Sequence, residues 1–324
     1  GETSIINEQG TSEIIDNVLE HPYEGTIYEI ETMHQLHPLS ITPEHPVLCL
    51  SGVQKNMAAD TIYEQIDKGI ISNTWKDVKD LNMDDMLAYS IPKYEKDIDS
   101  ITADDCYFYG IMLSKGVFEN DDIRGSITIH ITKDITKDDQ IMSFCRKYFT
   151  DKCVKFDIFI DVNHTKIRWH KNIALPIRYS DIYDENKQKH ITPKWLNLPT
   201  NKSQQIIKGL LMTDSQLTLE SLQCDIYDDI VFDNTSIKLV ESMRYILLRM
   251  GVITGAHIAE SQSTHNEAVA HKLFNYTVKM PKTSEVYELN GTITHKMLNY
   301  VLRIPKTDEM RKLVNITESL DNYS

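Results

Sequence analysis

Two short apolar segments constrain this chain more than anything else in it. Ile206-Ile207-Lys208-Gly209-Leu210-Leu211-Met212-Thr213-Asp214 reads as an apolar helix with one small residue in its packing face and an acid at its end. Roughly one hundred residues upstream, Tyr107-Phe108-Tyr109-Gly110-Ile111-Met112-Leu113-Ser114-Lys115-Gly116 carries a glycine in the same register. A glycine on each facing surface lets two helix backbones approach closely. The pair therefore predicts a seam between two similar half-domains, with the helix ends, Lys115 and Asp214, brought to one place.

In order and spacing, these segments resemble the two core helices of the LAGLIDADG homing endonucleases, in the form carried inside inteins. Gly209 falls on the family's first glycine and Asp214 on its metal-binding acid, while Ser215 replaces the closing glycine. In the first copy Gly110 and Gly116 fit, but Lys115 stands where the acid is expected. The lead-in Trp195-Leu196-Asn197-Leu198-Pro199 and the later run Asn234-Thr235-Ser236-Ile237-Lys238-Leu239-Val240 to Gly251 also look like the family's text. Either segment alone would read as an ordinary buried helix.

At 324 residues and 41% hydrophobic content the chain holds about two domains with real cores. Its net charge of −14 has the wrong sign for a protein that binds mainly by neutralising phosphates. The stretch from Lys166 to Lys194, with Arg168, Lys171, Arg178, Lys187 and Lys189, is the best local candidate for a basic face, and a solvated loop region explains it equally well. The five cysteines form no CxxC pair, which indicates neither a disulfide framework nor a zinc site. No secretory leader and no run of about 18 apolar residues is visible, so an intracellular, reducing location without membrane contact is expected.

Residues 1–95 read as β-rich, from Ser4-Ile5-Ile6 before the turn at Asn7 to Gly10, through the alternating Thr26 to Glu31. Leu39-Ser40-Ile41-Thr42-Pro43-Glu44-His45 resembles the intein motif with a threonine three residues before a histidine. The resemblance implies a Hint-type splicing domain in which Thr42 and His45 assist the N-to-S acyl shift, His45 protonating the leaving nitrogen. Gly1-Glu2-Thr3 looks like the text just after an intein's first residue, and the terminal nucleophile and closing His-Asn are expected in flanking sequence. The charged stretch Lys93 to Ser100 marks the boundary, which leaves 96–324 as the endonuclease-like domain.

For that domain the resemblance implies an α+β fold of two pseudo-symmetric αββαββα halves, about 101–195 and 196–324. Helices are expected from Asp104 to 116 and Asp138 to Phe149, with strands near Ser126 to Ile131, Val154 to Ile160 and Thr165 to Trp169. In the family such strands form a saddle on double-stranded DNA, which would place Lys155, Lys166, Arg168, His170 and Lys171 towards phosphates. An echo at an offset of 24 residues, Tyr276 to Thr283 and Tyr300 to Thr307, reads as two strands stopped by proline, with Lys282 or Lys306 as an alternative basic residue near the scissile phosphates.

Cleavage of both strands in the family uses an acid from each core helix to hold Mg2+. Lys115 cannot ligate a cation, and neither Asp104 nor Asp105, which precede the helix, is an obvious substitute. With Asp214 as the single metal ligand, nicking at most is implied. The expected protein is thus a monomeric intein, spliced from host exteins, with an inserted endonuclease that has decayed. An active double-strand endonuclease and a non-catalytic nucleic-acid-binding protein on the same fold are the rivals.

Overall fold

In a computed structural model the chain is described over residues 4–32, 35–53, 57–82, 85–119, 123–130, 135–170, 173–213, 230–262 and 296–304. It divides into two compact units, Gly1–Tyr94 and Glu95–Ser324. Together they form a mixed α/β protein with small antiparallel sheets.

The first unit is built from short strands. β1 (Ser4–Ile6) pairs with β2 (Ser12–Ile14), β3 (Tyr28–Ile30) with β4 (Leu39–Ile41), and β5 (Pro46–Ser51) lies between β6 (Ser72–Asp77) and β7 (Met86–Leu87). The β1–β2 turn closes because the Asn7 carboxamide accepts from the amides of Gln9 and Thr11 while Gly10 takes φ +80°. A side chain at Gly10 would start 2.0 Å from the Ile91 carbonyl oxygen. One α-helix, α1 (Ala59–Asp67), interrupts the strands of this stretch, which the sequence reads as β-rich. Sixteen of the 48 acidic residues but five of the 34 basic ones precede Glu95, so this unit carries −11 and the second −3. The charge that argues against a DNA-binding chain therefore sits almost wholly outside the second unit.

The second unit opens on α2 (Ala103–Lys115), whose start is set by a capping box between Thr102 and Asp105. From Asp105 to Leu113 every residue is buried, the mark of a helix enclosed on all sides. β8 (Gly116–Glu119), β9 (Arg124–His130), α3 (Ile135–Asp151), β10 (Phe156–Ile160) and β11 (His164–His170) follow, and the four strands form one antiparallel sheet in the order β10-β11-β9-β8. Ile127, Ile167 and Trp169 lie on its buried face. There Phe149 of α3 meets Trp169 at 4.9 Å, and Phe108 of α2 stacks on Tyr148 of α3 at 4.4 Å between centroids.

Two short helices, α4 (Tyr179–Ile182) and α5 (Pro193–Leu196), lead into α6 (Thr200–Met212). Trp195 of α5 is fully buried and stacks on Tyr109 of α2 at 4.1 Å. β12 (Ile230–Asn234), α7 (Ile237–Arg249), β13 (Gly255–Gln262) and β14 (Lys296–Ile304) complete the unit, the strands in the order β12-β14-β13. Ser236 caps α7 through the Leu239 amide. Buried Arg249 at its other end donates to the carbonyls of Leu196 and Leu198 and pairs with Glu95. β14 includes Tyr300 to Ile304 of the second member of the sequence echo; Pro305 and the first member, Tyr276 to Thr283, lie outside the described residues.

Candidate nucleic-acid interface and helix-end centre

The seam between α2 and α6 is a backbone contact. A β-carbon added to Gly110 would lie 2.2 Å from the Ile206 carbonyl oxygen, and one added to Gly209 would lie 2.3 Å from that of Tyr107. The entries of the two helices are tied together, Lys202 reaching Asp97 at 2.6 Å and the Thr200 amide reaching Glu95 at 3.0 Å. Helices joined at their starts and again at a mid-helix glycine run parallel, so both finish at the same end of the seam. There α6 ends with Thr213, whose hydroxyl folds back onto the carbonyls of Gly209 and Leu210, while α2 ends with Lys115. Asp214, the expected metal-binding acid, lies outside the described residues, as do Lys171, Lys282 and Lys306.

A second lysine occupies this end. Lys189 Nζ donates to the carbonyl oxygens of Met112, Ser114 and Gly116 at 3.2, 3.2 and 2.8 Å, using all three ammonium protons on the last turn of α2. A helix C-terminus leaves carbonyls without partners and carries partial negative charge, so a cation is favoured there. Burial and the nearby Lys115 ammonium push the Lys189 pKa down to about 8, while the three carbonyls hold its protonated form. Because the folded value lies below that of a free lysine, burying this charge costs stability at neutral pH, a cost relieved as pH rises from about 8 towards about 10.4. Replacing Lys115 by alanine should shift the Lys189 titration upward, read from the side-chain nitrogen resonance. An unchanged titration would separate the two charges.

The sheet supplies the second part of the site. In register, Lys166 pairs with Thr128 and Phe159, Arg168 with Ser126 and Asp157, His170 with Arg124, and His164 with His130. Paired residues share a face, so these groups all lie opposite Ile127, Ile167 and Trp169. Glu119 and Val117 of β8 join them. This open face therefore carries Arg124, Lys166 and Arg168 against Glu119 and Asp157, with three histidines. The Arg168 guanidinium lies 5.2 Å from the Phe159 ring, which is 50% exposed. Lys155, exposed, sits just before β10 and not in the ladder.

No family model and no curated protein matches the chain. Solved structures of one homing endonuclease do. A mesophilic variant of I-DmoI is 14% identical, with 68% of this chain aligned to 97% of that one at a TM-score of 0.40. I-DmoI in complex with DNA and calcium is 12% identical over 68% of this chain and 90% of that one at 0.39. I-DmoI in complex with DNA and manganese gives 13% over 68% and 97% at 0.35.

The cation-rich stretch from Lys166 to Lys194 does not form one basic face. Lys166 and Arg168 lie on the open sheet, but the Arg178 guanidinium turns back to the carbonyls of Leu175 and Ile177, Lys194 pairs with Asp181, and Lys189 points into the helix end. Spacing alone could not separate these fates, since each inward lysine or arginine finds an acceptor that is distant in sequence or made of backbone. Arg124, one residue before a glycine at the start of β9, is a face residue that the sequence reading misses; the strand's alternation is the signal that finds it.

In the first unit Thr42 and His45 close one turn, the His45 amide donating to the Thr42 carbonyl at 3.1 Å. The backbone of the turn is also held by the amides of Val78 and Lys79, which donate to the carbonyls of His45 and Pro43, and His45 is exposed to solvent. Among the described residues no cluster of three histidine, cysteine, aspartate or glutamate side chains could hold a metal, and no helix is long and apolar enough to cross a membrane.

Proposed function

We propose that the second unit is a LAGLIDADG-type DNA-binding domain that does not cut both strands. The observation that carries this reading is the parallel pair α2 and α6, in contact at Gly110 and Gly209, whose shared end holds Lys115 at one of the two acid positions that the resemblance implies, with Lys189 beside it. An open antiparallel face bearing Arg124, Lys166 and Arg168 supports contact with phosphates, and the near-neutral charge of this unit removes the electrostatic objection. Fluorescence anisotropy on random-sequence duplexes should give salt-sensitive binding, with Lys166→Ala and Arg168→Ala each lowering the slope of log affinity against log salt by about one. Supercoiled and linear DNA incubated with Mg2+ should show no double-strand product. A protein that fails to bind duplex DNA at low salt, or that makes specific double-strand breaks, overturns the reading.

For the first unit we propose a part in protein splicing. The turn that joins Thr42 to an exposed His45 supports it, because an imidazole is suited to protonate a leaving amide nitrogen near neutral pH. With the natural flanking sequence placed between two marker proteins, ligated markers should form and His45→Ala should abolish them. Absence of any ligated or cleaved product from the unaltered precursor defeats this part alone.

A further inference from the structure

The divalent ion that the resemblance implies does not fit the described end of α2. The terminal side chain is an ammonium, and the carbonyl oxygens of Met112, Ser114 and Gly116 that could have supplied neutral ligands already accept from the Lys189 ammonium. A divalent cation brought to these two ammoniums would be repelled, and an ion such as Mg2+ needs oxygen ligands, whereas these oxygens already face an ammonium. Positive charge at this end is nevertheless retained. One carboxylate with one divalent ion presents a net charge of about +1 towards a phosphate, and the ammoniums of Lys115 and Lys189 likewise leave the end of α2 positive.

We propose that Lys115, with Lys189 fixed behind it, makes a metal-free phosphate-binding centre at the end of the helix seam. Lys189 spends its protons on backbone oxygens, so it acts as a positioning residue: it occupies the carbonyls of Met112, Ser114 and Gly116, and its like charge disfavours the approach of Lys115 to them. Lys115 is half-buried and at the helix terminus, so its ammonium is the one that meets an incoming anion. Water activation is lost with the ion, because an ammonium carries no bound water that it can acidify, yet the attraction for the DNA backbone remains.

This inference rests on the DNA-binding reading above, and the test separates the two. Affinity for random-sequence duplexes is measured on the full chain in excess EDTA and again with Ca2+ at equal ionic strength, for the wild type, Lys115→Ala and Lys115→Arg. Wild-type affinity is expected to be undiminished by EDTA. Lys115→Ala should weaken binding by about tenfold and lower the salt slope by about one, while Lys115→Arg should bind within about threefold of wild type. Unchanged thermal melting of both variants checks that the fold is intact. Binding that disappears in EDTA and returns with Ca2+ overturns the proposal, as does an alanine variant with wild-type affinity and slope. Failure of every form to bind duplex DNA instead overturns the DNA-binding reading itself.

Discussion

Gly110→Ala should destabilise the second unit by more than about 3 kcal/mol, beyond the usual range for one added core methyl group. Two terms oppose each other. Alanine in place of a mid-helix glycine gains up to about 1 kcal/mol of helix propensity. Against it, the new β-carbon would start 2.2 Å from the Ile206 carbonyl oxygen and 2.9 Å from Gly209 Cα. Those are backbone atoms, so no rotamer change relieves the overlap, and the helices must move apart along a seam in which every residue from Ile206 to Met212 is buried. Gly209→Ala should behave alike, its β-carbon meeting the Tyr107 carbonyl oxygen at 2.3 Å. Urea unfolding followed by tryptophan emission reads the effect directly, because Trp169 and Trp195 are both buried in this unit while Trp75 of the first unit is 60% exposed. A midpoint equal to or above that of the wild type would mean that the glycines do not form the seam.

The second large effect is expected at Asp105. Its carboxylate is fully buried and accepts from the Thr102 amide and hydroxyl, both at 2.8 Å, from the Tyr148 hydroxyl at 2.6 Å and from Lys152 at 2.7 Å. Asp105→Ala strands the Tyr148 hydroxyl and the helix cap together, and breaking a buried charge pair on one side costs about 3–5 kcal/mol. Since Lys152 keeps 25% of its side chain exposed and recovers some hydration, a loss of about 2–4 kcal/mol is expected. Burial alone would raise the Asp105 pKa; Lys152, Tyr148 and the Thr102 cap outweigh it and hold the group below the ordinary carboxylate range. The stabilisation is thus fully present above pH of about 4 and lost as pH falls through the lower folded value. Wild type should lose stability over that acid window and Asp105→Asn should lose less. Parallel acid curves for the two proteins would remove Asp105 from the account, and a double-mutant cycle with Lys152→Ala would measure the pair itself.

The helices of the seam are legible in the chain because their information is local: runs dominated by apolar and small residues around one glycine, Tyr107 to Ser114 and Ile206 to Thr213, allow few alternatives to a buried helix. The alternation of β9 and β11 is legible for the same reason. Charged residues are not. Asp105 reads as one of two acids before a helix, yet its role depends on Tyr148 and Lys152, more than forty residues away. Arg249 reads as the polar end of an amphipathic helix and is buried because carbonyls of the Trp195 lead-in need donors. Lys189 belongs by composition to a basic stretch, and the carbonyls at the end of α2 draw it inward. In each case the deciding partner is a backbone oxygen or a side chain contributed by another element, which spacing along the chain does not encode.

The glycine contact between α2 and α6 has a consequence for how such a protein can change. Its cohesion resides in main-chain atoms at mid-helix and in the aromatic layer around Tyr109, about one and a half turns from the terminal side chain of α2. Chemistry at the tip and durability of the scaffold are consequently separate properties, and the tip can exchange an acid for a base without loosening what holds the halves together. A scaffold of this build can keep its halves joined whatever charge its tip carries.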